Sequence, residues 1–187
     1  MNVPDLHRRA ADLFGRRVHE VPEDGWTNPT PNTEWDVRAL VNHLVSESLW
    51  TPELFAGRTV AEVGDRFDGD VLGDDPVAAW DASIGPAVAA VQAPGAMDTT
   101  VHLSFGDAPG REYALQLFAD YLVHSWDLAR GIGADDSLDP ELVDACAAWF
   151  ASVEDDYRSA GAIGARSPVP DRADAQTRLL AMFGRRA

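Results

Sequence analysis

The residues most able to do chemistry are Asp120 and His124, which lie four positions apart in the segment ADYLVHSWD. On a helix, side chains at positions i and i+4 share a face, with Cβ atoms about 6 Å apart. A carboxylate and an imidazole held in this way can bind one divalent metal ion. A third candidate ligand, His43, lies on the apolar side of another predicted helix, in the segment LVNHLV. Two histidines and one carboxylate suit a metal that keeps an open coordination position.

Each of these residues also has an ordinary structural explanation. An aspartate and a histidine four residues apart are common on solvated helix faces, and a lone histidine on an apolar face is more often a hydrogen-bonded core residue than a ligand. The stripe of Tyr113, Leu117, Asp120, His124 and Asp127 is apolar at one end and ionisable at the other, and an unpaired carboxylate facing the inside of a bundle would be costly. A metal or a tight hydrogen-bonded pair would remove that cost. Spacing alone leaves both explanations open.

Other polar and aromatic residues near these positions have more than one explanation. Asp127 follows His124 by three residues and is a fourth ligand, an acceptor that orients the imidazole, or the partner of Arg130 in a salt bridge. Trp35 and Trp126 are predicted to anchor the core rather than to stack on a ligand. The remaining histidines lack partners at ligand spacing and are predicted to be surface or incidental residues: His7, His19 and His102.

The composition excludes several classes of protein. The chain has 187 residues, which fits one domain over residues 1–187, and a formal net charge of −16 with a pI near 4.4. Such a surface repels nucleic acids and anionic membranes, so we expect neither as a partner. All basic residues are arginines, which excludes Schiff-base lysine catalysis and a P-loop.

The single cysteine, Cys146, excludes a disulfide framework and a cysteine-based zinc finger within the chain. It lies on an apolar helical stripe and is predicted to be a core residue. The N-terminal residues lack the features of a signal peptide, and no apolar run approaches the ~20 residues needed to span a bilayer. We therefore expect a cytoplasmic protein.

Hydrophobic periodicity predicts a nearly all-helical chain. We expect residues 57–73 to form a crossover loop, Gly85 and Pro86 to kink or interrupt the third helix, and residues 106–110 to form a turn after a short strand at 99–105. A helical bundle with one long crossover connection is the packing that this order favours. The predicted helices cover about residues 5–20, a span from an N-cap at Thr33 to Phe55, a span starting at Asp74, residues 111–130, a span starting at Asp139, and residues 173–183.

Four segments carry a resemblance to a known family: WTNPTP at 26–31, WDVRALVNHL at 35–44, DYLVHSWDLA at 120–129 and FGR at 183–185. With these segments the chain resembles the DinB/YfiT-like superfamily of metal-binding helical bundles over nearly its whole length. Within that superfamily it is most similar to the group of the mycothiol-dependent maleylpyruvate isomerase N-terminal domain.

The resemblance implies a DinB-like four-helix bundle with a long crossover connection, extra C-terminal helices and a short β element. It also implies a divalent metal held by His43, Asp120 and His124. Relatives of known activity carry glutamate or histidine at the position of Asp120. Aspartate is one methylene shorter, so the metal would lie closer to this helix or bind more weakly.

The resemblance further implies a metal-dependent S-transferase or isomerase that uses a thiol such as mycothiol. An open metal site can bind a thiol as its thiolate and direct it at an electrophile. Zinc is the expected metal, with nickel, iron and manganese as alternatives, and the partners would be a small-molecule thiol, an electrophile and a second copy of the chain in a homodimer. A non-catalytic, stress-related metal-binding bundle and a non-haem iron enzyme are the competing hypotheses.

Overall fold

Helices make up most of the structure, which is a computed structural model that describes residues 2–187. The expected all-α class with a short β element is confirmed. The longer helices are α1 (Val3–His19), α2 (Val37–Phe55), α4 (Pro76–Gln92), α5 (Gly110–Ile132) and α6 (Pro140–Phe150). The shorter elements are α3 (Val60–Val63), a 3-10 turn (Ala96–Asp98), β1 (Thr100–Leu103), β2 (Gly106–Pro109), α7 (Glu154–Ser159) and α8 (Ala175–Met182).

Four helices surround the main core. Each of α1, α2, α4 and α5 packs against two others, in the cyclic order α1, α5, α2, α4. The C-terminal helices form a second layer, in which α6 packs against both α5 and α8. None of the helices within residues 2–187 combines the length and the apolar character needed to cross a membrane. The largest fully buried side chains are Trp80, Trp126, Tyr121, Phe14, Phe118 and Phe150.

Helix α2 begins later than predicted. Its N-cap is Asp36, whose carboxylate accepts a hydrogen bond from the backbone N–H of Ala39 at 2.8 Å, so the prediction of Thr33 as the N-cap is wrong. The backbone N–H groups of Val37 and Arg38 donate to carbonyls in the preceding loop, at Asn28 and Trp26. These bonds hold the entry to α2 in an extended conformation, which prevents an earlier helical turn.

The crossover between α2 and α4 is not entirely a loop. It contains α3, which begins at a capping box formed by Thr59 and Glu62, so the loop prediction is wrong for this turn. The side chain of Asn42 in α2 holds the crossover in place: its Nδ2 donates to the carbonyl of Gly69, and its Oδ1 accepts from the N–H of Val71, both at 2.9 Å. The crossover is therefore fastened to the helix that carries His43.

Helix α4 continues without interruption through Gly85 and Pro86, so the predicted interruption is wrong, while the kink stays a prediction. Proline at position 86 leaves the carbonyl of Ala82 without its helical N–H donor. Both Ala82 and Pro86 are exposed to solvent, and water can satisfy that carbonyl. The helix therefore tolerates the proline.

The predicted turn at residues 106–110 is instead mostly a second strand. Strands β1 and β2 pair antiparallel, with Thr100 opposite Pro109 and Leu103 opposite Gly106. The reversal lies at Ser104 and Phe105, and Gly106 takes a φ of +130° that favours glycine. The tip of this hairpin presents Phe105, which is 75 % exposed.

Glycines define both ends of α5, the helix that carries Asp120 and His124. A Cβ at Gly110 would lie 2.1 Å from the carbonyl oxygen of Ala96, so only glycine allows the helix to start this close to the 3-10 turn. At the other end, Gly133 adopts the left-handed conformation with a φ of +69° and caps the helix. The position of α5 along the bundle is thus defined by backbone contacts.

Candidate metal centre

The three predicted ligands lie together between α2 and α5. One ligand atom from each of His43, Asp120 and His124 lies within 4.8 Å of the others. The Nε2 atom of His43 is 2.9 Å from Oδ2 of Asp120, and Nε2 of His124 is 3.3 Å from Oδ1 of the same carboxylate. Both imidazoles therefore direct Nε2 toward one carboxylate.

The packing of α2 on α5 accounts for this convergence. His43 contacts Asp120, whereas Phe55, at the end of α2, contacts Tyr113 near the start of α5 with ring centroids 5.8 Å apart. The two helices therefore run antiparallel. Leu40 and Leu44 on either side of His43 are fully buried, which holds the face of α2 that bears the imidazole against the bundle.

Asp127 orients His124 from the side opposite Asp120. Its Oδ2 lies 2.9 Å from Nδ1 of His124. The guanidinium of Arg185 donates to the same carboxylate through Nε at 3.0 Å to Oδ1 and through Nη2 at 2.8 Å to Oδ2. The interpretation of Asp127 as an orienting acceptor agrees with these contacts. The salt bridge with Arg130 is wrong, because Arg130 pairs with Asp136 at 3.2 Å.

The carboxylates change the acid–base properties of the imidazoles. Burial disfavours a charged His124, but the negative charges of Asp120 and Asp127 outweigh burial and raise its pKa to about 9. The pKa of His43 is also raised, because Asp120 outweighs the effect of burial. Burial likewise opposes ionisation of Asp120, yet the two imidazoles hold its pKa well below the usual range. The centre is thus a tightly coupled cluster of opposite charges.

The donor set fits a divalent metal ion. Two imidazole nitrogens and a carboxylate oxygen are common ligands of zinc and of non-haem iron. Ligand atoms about 2.1 Å from a tetrahedral zinc lie roughly 3.4 Å apart, close to the separations of Asp120 from the two imidazole nitrogens. A metal would displace the Nε2 proton of His124, and the acceptor at Nδ1 favours the tautomer in which Nε2 is the ligand atom. The residues present therefore suit a metal, while ligation itself stays a prediction.

Trp35 covers the centre. Its ring centroid lies 4.6 Å from that of His43 and 5.5 Å from that of His124. The sequence predicts a core position for this tryptophan, but the structure places it half-buried in the wall of a cavity. Trp126 is a core residue as predicted, with 1 % of its surface exposed.

A cavity of about 920 Å³ opens next to the three candidate ligands. Its walls come from α2, α5, the β-hairpin and the segment between α6 and the C-terminal residues, so several distant parts of the chain meet there. Such a volume is typical of sites for small molecules. Its aromatic lining residues are Trp35, Trp50, Phe105, Tyr113, Trp149, Tyr157 and Phe183.

Sequence reasoning missed two charged residues of this site. Arg185 lies 58 positions from Asp127, and no local spacing connects them. Glu47 lies one helical turn after His43, lines the cavity, and has a pKa raised by burial. The i, i+4 rule that singled out Asp120 and His124 also applies to His43 and Glu47 and provides a signal for it.

The remaining histidines lie outside the centre. His19 is exposed and pairs with Asp81 at 2.9 Å, and His102 pairs with Asp107 at 2.7 Å, consistent with surface positions. The surface prediction for His7 is wrong, because this residue is fully buried in α1. Neither ring nitrogen of His7 has a hydrogen-bond partner among residues 2–187. Its position three, four and seven residues before buried residues of α1 accounts for the burial.

Comparison with protein families gives a match to the part of the chain that contains the candidate metal centre. The family model of the mycothiol maleylpyruvate isomerase N-terminal domain matches residues 7–129. The matched segment contains His43, Asp120, His124 and Asp127, whereas Arg185 lies beyond it. No solved structure matches the chain significantly.

Two curated relatives are similar over nearly their whole length. Both are proteins of Mycobacterium tuberculosis: Uncharacterized protein MT0763 of strain CDC 1551 / Oshkosh and Uncharacterized protein Rv0738 of strain ATCC 25618 / H37Rv. Each is 33 % identical to this chain over 181 residues, which cover 96 % of the chain and 95 % of the relative. Together with the match over residues 7–129, these similarities show that the chain belongs to the family of the mycothiol maleylpyruvate isomerase N-terminal domain.

Proposed function

We propose that this protein binds a divalent metal ion through His43, Asp120 and His124 and uses it in a thiol-dependent S-transfer or isomerisation. The observation that carries this proposal is the convergence of three ligand atoms within 4.8 Å beside a cavity of about 920 Å³. A structural metal site is normally closed, whereas a site beside a cavity keeps a position for a ligand. Membership of the mycothiol-related family supports a thiol as that ligand.

The chain itself offers no nucleophilic thiol. Cys146 is fully buried, and burial raises the pKa of its thiol. A buried, protonated thiol is unreactive. An external thiol such as mycothiol therefore supplies the nucleophile in this proposal, and a bound divalent metal would lower the pKa of that thiol.

The surrounding residues have definable roles in the proposed site. Asp127 accepts a hydrogen bond from Nδ1 of His124, which leaves Nε2 as the ligand atom. Arg185 holds the Asp127 carboxylate through two hydrogen-bonded nitrogens. Trp35 shields the two imidazoles on one side, which limits the access of water to the centre.

Metal content is the direct test. Protein purified without a metal-affinity tag, dialysed against zinc and analysed by elemental mass spectrometry is expected to retain about one metal ion per chain. His43→Ala and His124→Ala are expected to lose it. His102→Ala is the matched control, because His102 also contacts an aspartate but lies outside the centre. Full metal content in both ligand variants would exclude the site.

Turnover is tested separately. We expect mycothiol-dependent conjugation of an electrophile such as monochlorobimane, lost on chelation and restored by metal. Comparison of zinc, iron, nickel and manganese then identifies the metal that supports turnover. Metal binding without thiol binding or turnover would favour the alternative function, a non-catalytic metal-binding bundle.

A further inference from the structure

The two histidines of the candidate metal centre are oriented by different contacts. His124 lies between two carboxylates, with Nδ1 2.9 Å from Asp127 and Nε2 3.3 Å from Asp120. His43 has one carboxylate only: its Nε2 is 2.9 Å from Asp120, and its Nδ1 has no hydrogen-bond partner within residues 2–187. A single hydrogen bond does not fix the plane of the ring, because the terminal χ2 torsion of histidine has broad minima. A second contact is therefore needed to orient His43.

The indole of Trp35 makes that contact. Its ring centroid lies 4.6 Å from that of His43, with an angle of 34° between the ring planes. Aromatic rings pack favourably in offset or tilted arrangements at centroid separations of about 4.5–7 Å. The same indole lies 5.5 Å from His124, and the two imidazoles lie 5.6 Å apart, edge to face. Trp35 thus contacts one imidazole from α2 and one from α5.

The loop that carries Trp35, residues 26–36, is fixed to both helices, and we refer to it as the entry loop. At α2, two of its carbonyls accept hydrogen bonds from the first two backbone N–H groups of the helix. At α5, Nδ2 of Asn28 donates to the carbonyl of Gly131 at 3.1 Å. A Cβ at position 131 would lie 3.2 Å from the side chain of Thr30, so glycine lets the loop pack closely on the last turn of α5. The entry loop therefore holds the indole in a defined position relative to both helices.

We propose that Trp35 is the positioning residue of His43. Its indole fixes the plane of the imidazole and directs Nε2 toward Asp120, as Asp127 orients His124 through a hydrogen bond. Trp35 acts through the imidazole and is not itself a ligand, because indole has a donor and no acceptor. The entry loop thereby preorganises two ligands that come from different helices. This inference rests on the proposed function, because it concerns the ligand residues of the same metal centre.

Nuclear magnetic resonance of the metal-free protein tests the positioning directly. The protein is labelled with ¹³C and ¹⁵N in its histidines, and His43→Ala assigns the signals of His43. We expect relaxation of the ring carbons to show an ordered His43 ring in the wild type and larger ring motion in Trp35→Leu. His19, which is exposed and distant in sequence, is expected to behave alike in both proteins. This comparison does not depend on whether a metal binds.

Zinc affinity measures the consequence for the metal centre. Changes to groups that orient a metal ligand cost about 10–100-fold in affinity, so we expect Trp35→Leu to bind zinc about tenfold more weakly than the wild type. Trp35→Phe keeps an aromatic ring next to His43 and is expected to restore the affinity to within about threefold. The absorption bands of bound cobalt(II) depend on coordination geometry. They should change in Trp35→Leu and return in Trp35→Phe.

Two further variants separate positioning from general packing. Trp50→Leu is the matched control, because Trp50 is also half-buried in the cavity wall, but its ring contacts Phe67 with centroids 5.7 Å apart. It is expected to leave the zinc affinity and the cobalt spectrum unchanged. Asn28→Ala keeps the indole but removes the bond to Gly131, so the zinc affinity should fall by about twofold to fivefold. Circular dichroism shows whether each variant is folded.

The contrary results are distinct. Unchanged ring motion of His43 in Trp35→Leu, zinc affinity equal to that of the wild type, or equal losses in Trp35→Leu and Trp50→Leu would overturn the positioning role. Failure of Trp35→Phe to restore the cobalt spectrum would also overturn it. If Trp35→Leu does not fold, wild-type ring motion and zinc affinity in Asn28→Ala would do so. A wild-type protein that binds no metal would exclude the proposed function, while the ring motion of His43 still decides the role of Trp35.

Discussion

Two histidines inside the same bundle have opposite environments. His124 on α5 and His7 on α1 are both buried, with 6 % and 0 % of their surfaces exposed. Each ring nitrogen of His124 lies within 3.3 Å of a carboxylate oxygen, and its pKa is raised to about 9. The ring nitrogens of His7 have no partner within residues 2–187, and burial lowers its pKa to about 4. Burial alone thus keeps an imidazole neutral, whereas paired carboxylates reverse that effect.

The contrast distinguishes a candidate ligand from a core residue. A neutral imidazole among apolar groups, such as His7 against the ring of Tyr121 with centroids 5.4 Å apart, acts as a packing side chain. An imidazole between carboxylates is oriented, and one of its nitrogens is positioned to bind a metal. The partners of a buried histidine are therefore more informative than its burial.

The largest effect is expected on zinc affinity when His124, the histidine between carboxylates, is removed. His124→Ala removes one of three ligands and is expected to weaken zinc binding by more than ~100-fold, because changes to orienting residues alone cost about 10–100-fold. His7→Phe, the matched control, is expected to leave zinc affinity unchanged. Competition calorimetry with a chelator measures both. Equal losses in the two variants would show that zinc affinity reports general unfolding.

The next effect concerns stability against acid. The unfolded chain protonates His7 below about pH 6.5, whereas the folded protein does so only near pH 4. The free energy of unfolding therefore falls as pH falls between these values, by about 3 kcal/mol from this group. Urea denaturation at pH 7 and pH 4 should show this fall in the wild type and a smaller fall in His7→Phe. Parallel pH dependence of the two proteins would contradict the neutral state of His7.

A smaller effect tests how His124 is oriented. Asp127→Asn removes the charge next to Nδ1 of His124, and zinc affinity should fall by about 10–100-fold. Arg185→Met leaves the Asp127 carboxylate in place and should cause a smaller loss. If both variants bind zinc like the wild type, the orientation of His124 depends on packing alone.

The smallest effect is expected in the apolar region around His7. Tyr121 and Ser48 share a hydrogen bond of 2.8 Å between their hydroxyls, and Ser48 also donates to the carbonyl of Leu44. Tyr121→Phe therefore leaves the serine satisfied and should cost about 1 kcal/mol of the free energy of unfolding. Zinc affinity should not change. A loss of metal binding in Tyr121→Phe would mean that the hydrogen bond between Ser48 and Tyr121 helps to position α2 and α5 around the centre.

Much of the site can be predicted from helical periodicity. Asp120 and His124 share a face because four residues make about one turn, and the apolar neighbours of His43 place it on the inner side of α2. The facing of α2 and α5 depends on packing between distant segments. Spacing within one helix carries no information about that packing. Which face of α2 meets which face of α5, and so the convergence of the three residues, is visible only in the folded structure.

Arg185 and Trp35, whose roles at the centre were not predicted, lie where local rules end. Arg185 reaches Asp127 only after the chain has passed through α6 and α8, and no pattern in either segment indicates the pair. Trp35 lies in the non-helical entry to α2, where periodicity does not define a direction. Glu47, by contrast, follows His43 by one turn and was predictable from the same rule.

The errors in local structure have specific causes. Both Thr33 and Asp36 can cap a helix, and hydrogen bonds to the preceding loop decide for Asp36. Pro86 leaves α4 intact because the carbonyl that it deprives of a donor belongs to exposed Ala82. In each case solvent or the preceding loop, rather than the residue type, determines the outcome. The single domain and the homodimer stay predictions.

The inertness of Cys146 makes the protein convenient for site-specific labelling. It is the sole cysteine of the sequence, it is buried, and its thiol is held protonated. Maleimide reagents should therefore leave the folded chain unmodified, and Phe105→Cys would introduce one reactive position at the exposed hairpin tip beside the cavity. A fluorophore or spin label attached there would report the arrival of small molecules, and added thiols would form no mixed disulfide with the wild-type chain.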